Sequence, residues 1–157
     1  MKILVLGLGN PLVSDDSVGL RVAAALKPLL EKHPGVEVGE DYWGGLRLME
    51  RLIDFDGAVV IDAIRTGAEP GTIHHLTPAA APTQRSASAH DVDLPTALLL
   101  GRQAGAHLPA NENIILIGIE AEDVLNFSET CTPAVEAAIP QAVEAALQTL
   151  ESLNSGA

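Results

Sequence analysis

Cysteine, aromatic residues and positive charge are all scarce in this chain of 157 residues. Cys131 is the single cysteine, so no intramolecular disulfide can form and no thiolate cluster can hold a metal. Aromatics make up only 3% of the chain, so its interior must be built from Leu, Ile, Val and Ala. Nine Lys and Arg stand against 21 Asp and Glu, a formal charge of −12. Such a chain repels phosphate backbones and anionic lipid surfaces, which excludes nucleic acid and membrane as expected partners. No apolar run approaches membrane-spanning length, and MKILVLGLGN reads as a core strand without a signal-peptide pattern. The expected location is therefore the cytoplasm.

What is present is an apolar fraction of 47%, enough for a packed core in a single domain over residues 1–157. Lys2 to Leu8 is a continuous β-branched and leucine run, expected of a strand covered on both faces. Val18, Val22, Leu26, Leu29 and Leu30 recur at helical spacing from about Asp16 to Lys32, and Pro34-Gly35 ends that helix. A short strand at Val36 to Gly39 and a helix from about Leu46 to Ile53 follow. Ala58 to Ala63 is a second buried strand, Gly71 to Leu76 an edge strand, and Asn113 to Glu120 the last buried strand. Asp93 should cap a helix through LPTALLLGRQAGA. Thr132 and Pro133 open a final helix that should run through Pro140, kinked there rather than divided. The pattern predicts an α/β fold: a three-layer, mostly parallel twisted sheet of about five strands with helices on both faces.

In such sheets ligands sit beyond the carboxyl ends of the strands. Three polar features fall there: Asp15-Asp16 after the first strand, Asp62 after AVVI, and His90 in the Pro-, Ser- and Ala-rich loop of residues 77–92. Each has a plain structural explanation when taken alone. An acid after a strand can cap the next helix, and Asp15 is the better capping candidate of its pair. Asp62 can cap a loop, and His90 can be a solvated loop residue. Taken together, two carboxylates and an imidazole make a nitrogen and oxygen ligand set for nickel or zinc that leaves positions open. His33 and His107 read as helix-end cations, and Glu120 and Glu122 as solvated acids near the rim. His74 and His75 must face opposite sides of their strand. Cys131 reads as packing at a helix start rather than as a nucleophile. Neither G-x-S-x-G nor H-E-x-x-H occurs, so a peptidase built on this chain needs a metal to polarise the carbonyl or activate water.

Gly7-Leu8-Gly9-Asn10, then Asp15-Asp16 and Gly19, resembles the opening signature of the hydrogenase maturation endopeptidases. The resemblance continues in order through YWGGLRLMERL, VVIDAI, PGTIHHL, SAHDVDLPTAL, ILIGIEAED and TPAVEAAIPQAVEAAL. It implies an endopeptidase that recognises nickel in the precursor of a [NiFe]-hydrogenase large subunit and removes that precursor's C-terminal extension. By position, the family's metal-contacting acid falls on Asp16, where members carry Glu or Asp. Its second acid falls on Asp62 and its histidine on His90. Nickel is then supplied by the substrate, and zinc or cadmium could take its place in a crystal. The resemblance further implies that no standard nucleophile is used, with Asp16, Asp62 or the nickel itself left to activate water.

Three other readings compete. Peptidyl-tRNA hydrolase chains also open with a strand and GLGNP, but Asp15-Asp16-Ser17-Val18 stands where a threonine-arginine-histidine-asparagine element is expected, and the charge is wrong for tRNA. A dinucleotide binder fails at Leu12, which occupies the third glycine's place in G-x-G-x-x-G. A nickel-binding maturation chaperone that performs no cleavage would use the same three ligands.

Overall fold

The computed structural model describes residues 1–80 and 92–156. Five strands form one sheet: β1 (Ile3–Leu8), β2 (Val36–Asp41), β3 (Gly57–Ile64), β4 (Ile73–Leu76) and β5 (Ile114–Glu120). Their order is β2-β1-β3-β5-β4. All neighbours run parallel except β4, which lies antiparallel to β5 at the edge. The fold expected from the alternating pattern is the one observed. Strand limits shift by one to two residues, and β3 continues past Asp62 to Ile64, so Asp62 lies inside the strand rather than at its end.

Among the described residues, four helices cover the sheet. α1 (Val18–Leu30) and α4 (Pro133–Ser155) pack on one face, α2 (Gly45–Arg51) and α3 (Leu94–Gln103) on the other. Alternate strand residues feed two separate cores. Ile3, Val5, Val59 and Ile61 meet Val18, Val22 and Leu26 of α1 and Val135, Ala142 and Ala146 of α4. Leu4, Leu6, Ala58 and Val60 meet Leu48, Met49, Leu94 and Leu98. Val22 and Leu26 are wholly buried, and each contributes about 1.5–3 kcal/mol relative to an exposed side chain. Asp93 caps α3 as expected, accepting from Thr96 N–H at 2.8 Å. α4 passes Pro140 as one helix.

The chain leaves β1 towards β2 on one side, and continues from β3 towards β5 and β4 on the other. The crevice at the carboxyl ends of β1 and β3 is therefore the sheet's switch point, where doubly wound folds hold ligands. Two glycines set the depth of that crevice. A Cβ on Gly7 would lie 2.4 Å from the Gly19 carbonyl oxygen, and a Cβ on Gly19 would lie 2.3 Å from that of Ile61 and 2.4 Å from that of Leu8. The start of α1 thus presses directly on the backbones of β1 and β3, and the 3-10 turn Asp15–Ser17 that precedes it packs against β3.

Replacing a helical glycine by alanine ordinarily stabilises by about 1 kcal/mol. At position 19 the clash with two backbone carbonyls should reverse the sign. Gly19→Ala is expected to destabilise by about 1–3 kcal/mol, read as a lowered urea midpoint; a raised midpoint would refute the close approach.

Candidate active site

The Asp15 carboxylate is wholly buried. One oxygen accepts from the N–H groups of Glu122 and Asp123, both at 2.9 Å, and from the Thr132 hydroxyl at 2.8 Å. The other accepts from Thr132 N–H at 2.7 Å. Capping of α1, the role expected for Asp15, is not what it does. It gathers orphan donors from the loop after β5 and from the start of α4, and so ties both to the loop after β1. A buried anion is tolerable here because four donors replace its lost water. Thr132 occupies the N-cap of α4, as expected, but its hydroxyl serves Asp15 and makes no cap bond of its own.

Asp16 follows immediately, half-buried, on the turn that packs against β3. Its carboxylate accepts from Asn10 N–H at 3.1 Å across the loop. Asp62 is also half-buried, on β3 in register with Gly118 of β5. One of its oxygens accepts from Ala63 N–H at 2.8 Å. Asp16 thus lies on the turn after β1 that packs against β3, and Asp62 on β3 two residues before its carboxyl end, both on the switch-point side of the sheet. His90 lies outside the described residues, together with the rest of residues 81–91.

Around this pair the rim is more ordered than the sequence suggested. Glu120 is not a solvated acid but is 2% exposed. Its carboxylate accepts from Thr66 N–H at 2.8 Å and from the Thr66 hydroxyl, and meets His74 Nε2 at 3.1 Å. Burial pushes this carboxyl up, but the Thr66 hydrogen bonds and the His74 contact outweigh it and hold it below the ordinary value. The missed signal was Thr66 and His74, polar residues on separate segments that the β3–β5 and β4–β5 pairings bring to Glu120. His75 faces the other way and is exposed, as alternation required. Across the sheet, Asp41 at the end of β2 pairs with Arg51 at 3.0 Å and Arg47 at 3.3 Å. Burial raises its carboxyl, but the Tyr42 N–H bond and the two guanidinium groups bring it below the usual aspartate range. His107 lies beyond the end of α3 and meets Asp56 at 3.3 Å, so an acid partner rather than a helix end accounts for it. His33 is exposed after α1.

Cys131 is buried beside the Ser17 hydroxyl, at 3.8 Å, and the Ser14 carbonyl oxygen, at 3.7 Å. Burial pushes its thiol up, which keeps the thiolate scarce. Packing at the start of α4 is its role, as the sequence suggested.

Two half-buried acids beside the switch point put this chain among doubly wound α/β proteins with a crevice at the carboxyl ends of their central strands. Comparison with known proteins narrows the class. Residues 20–149 match the hydrogenase maturation protease family. The chain is 32% identical over 154 residues to the hydrogenase expression/formation protein HupD of Rhizobium leguminosarum bv. viciae, covering 96% of this chain and 75% of that one. It is 31% identical to the hydrogenase 2 maturation protease of Escherichia coli K12, covering 96% and 91%. The solved hydrogenase maturating endopeptidase HybD from E. coli superposes with a TM-score of 0.75 at 31% identity, over 97% of this chain and 93% of that one. The chain belongs to the hydrogenase maturation protease family, and is thus a peptidase. The span that matches the family model starts after the GLGNP segment shared with peptidyl-tRNA hydrolases.

Two measurements check the buried acids. Asp15→Ala strands three N–H groups and a hydroxyl, and is expected to cost about 3–5 kcal/mol in urea unfolding, whereas a loss under about 1 kcal/mol would mean that water replaces the carboxylate. Glu120 has a folded value below 4.5, so the unfolded chain binds its proton more readily. Its stabilisation is present above pH 4.5 and is lost as pH falls through the folded value. The urea midpoint of Glu120→Gln should therefore change less than that of the parent protein as pH is lowered below 4.5.

Proposed function

We propose that this protein is an endopeptidase that recognises nickel in the precursor of a [NiFe]-hydrogenase large subunit and cleaves off the precursor's C-terminal extension in the cytoplasm. The observation that carries the reading is the position of Asp16, on the turn that follows β1 and packs against β3, and of Asp62, near the carboxyl end of β3, in a chain that belongs to this protease family. The family assignment supports a peptide substrate. Two carboxylates at one rim support a divalent cation as the recognised feature.

In this reading Asp16, Asp62 and His90 supply oxygen and nitrogen donors to a nickel ion that arrives with the substrate. The three make an incomplete shell, which the precursor's own ligands complete. An unloaded precursor offers nothing for this shell to grip, so its scissile bond is not held in place. Proofreading follows from that difference: cleavage reports that metal insertion has taken place. The buried Cys131, its thiol pushed up, supports attack by water rather than by a thiolate. In the same reading Asp16 or Asp62 takes the water's proton, and the nickel brought by the substrate would polarise the carbonyl. The net charge of −12 supports the same ligand, because a cationic metal centre is drawn towards an acidic rim.

The test mixes the purified protein with nickel-loaded and nickel-free precursor and follows the large subunit by mass spectrometry. Loss of a C-terminal fragment from loaded precursor alone is the expected result. Binding with no change of mass would show a nickel chaperone instead. Asp16→Ala, Asp62→Ala and His90→Ala are each expected to abolish processing while circular dichroism and the melting curve stay as in the parent. Unfolding of all three would make them structural residues, not ligands.

A further inference from the structure

Three large apolar side chains stand exposed on two loops that are hydrogen-bonded to each other. Leu12, after β1, is 59% exposed; Leu125 and Phe127, after β5, are 80% and 83% exposed. Val13 forms an antiparallel bridge with Phe127. Ser128 N–H donates to the Leu12 carbonyl at 3.0 Å, and Ser14 N–H donates to that of Asn126 at 3.1 Å. The loop after β5 is held internally as well. Asp123 accepts from the N–H groups of Leu125 and Asn126, both at 3.0 Å, and from the Asn126 side-chain amide at 2.9 Å. Asp15 pins the same loop at Glu122 and Asp123.

A single exposed leucine is ordinary. A fixed loop that holds two apolar side chains four-fifths in water, beside a third, has another meaning. The order needed to bind an apolar surface is already built into the folded protein, which lowers the cost of docking. Side chains exposed to this degree on pinned loops can be enclosed by a partner, so their complement is a recess rather than an extended tail lying in a groove. Charge identifies the rim of that recess. The 55 residues from Gln103 to the end contain no Lys or Arg and eight acids, four of them within residues 120–129. Arg65 lies close enough to act on Asp123, but the segment that carries Leu125 and Phe127 has no cation of its own.

We propose that Leu12, Leu125 and Phe127 form a docking knob that seats the enzyme on the folded body of its precursor substrate, in an apolar recess rimmed by Lys and Arg. This rests on the reading of the substrate given above. Leu12 is four residues from Asp16 on the same loop, so a partner seated on the knob has its metal centre delivered to the strand-end crevice. The knob contributes binding that does not depend on nickel, which places its effect in KM and not in kcat. It would also set which precursor is served.

The test uses the full chain carrying Leu125→Ser and Phe127→Ser together, with Leu12→Ser as a second variant on the other loop. Binding to nickel-loaded and nickel-free precursor is measured by calorimetry, separately from cleavage. The double variant should lose about tenfold or more in affinity and raise KM to match, with kcat within about twofold and the melting temperature unchanged. Glu122→Lys with Glu129→Lys should slow association, and added salt should slow that of the parent protein. Equal affinity of parent and double variant for the precursor overturns the docking surface. Precursor that the parent binds but never cuts overturns the peptidase reading and leaves the knob standing, provided that the double variant binds it more weakly.

Discussion

The buried carboxylate of Asp15 holds the working end of this molecule together. Its two oxygens take four donors from two segments more than a hundred residues away, so the loops after β1 and β5 and the start of α4 cannot move independently. An anion in a dry site is costly unless each lost water is replaced, and here three backbone N–H groups and the Thr132 hydroxyl replace them. The constraint runs both ways. The donors fix the carboxylate, and the carboxylate fixes the loops that display Asp16 on one side and Leu125 and Phe127 on the other.

The sheet places these loops through glycines rather than through large side chains. Gly7 and Gly19 let α1 approach β1 and β3 at backbone contact, which brings the Asp15–Ser17 turn onto the strand that carries Asp62. Any larger residue would lift the helix and separate the two aspartates. Stability and function are thus joined at one point. The same close packing that buries Val18 and Val22 sets the width of the crevice at the switch point.

Further from the crevice, each acid on the rim has a different fate. Glu120 is buried and bound to Thr66 and His74, and Asp41 is paired with two arginines. Asp93 caps a helix. These roles separate structural acids from the two at the switch point, and the separation depends on partners scattered through the chain. Sequence spacing carries little information about such partners. That is why Glu120 looked like a solvated acid and Asp15 like a local cap.

Local pattern determined the elements. Unbroken Val, Ile and Leu runs gave buried parallel strands, the 3.6-residue stripes gave α1 and α4, and Pro and Gly marked their ends, because these preferences act within a few residues. Family signature and residue type also singled out Asp16, Asp62 and His90; Asp16 stands on the turn that packs against β3 and Asp62 on β3 itself, while His90 lies among residues outside the described part of the structure. Only the tertiary structure decided strand order, the partner of each buried acid and the pairing of the Leu12 loop with that of Phe127. Those depend on contacts between segments far apart in sequence, where burial and hydrogen-bond satisfaction are settled by the whole fold and not by any local preference.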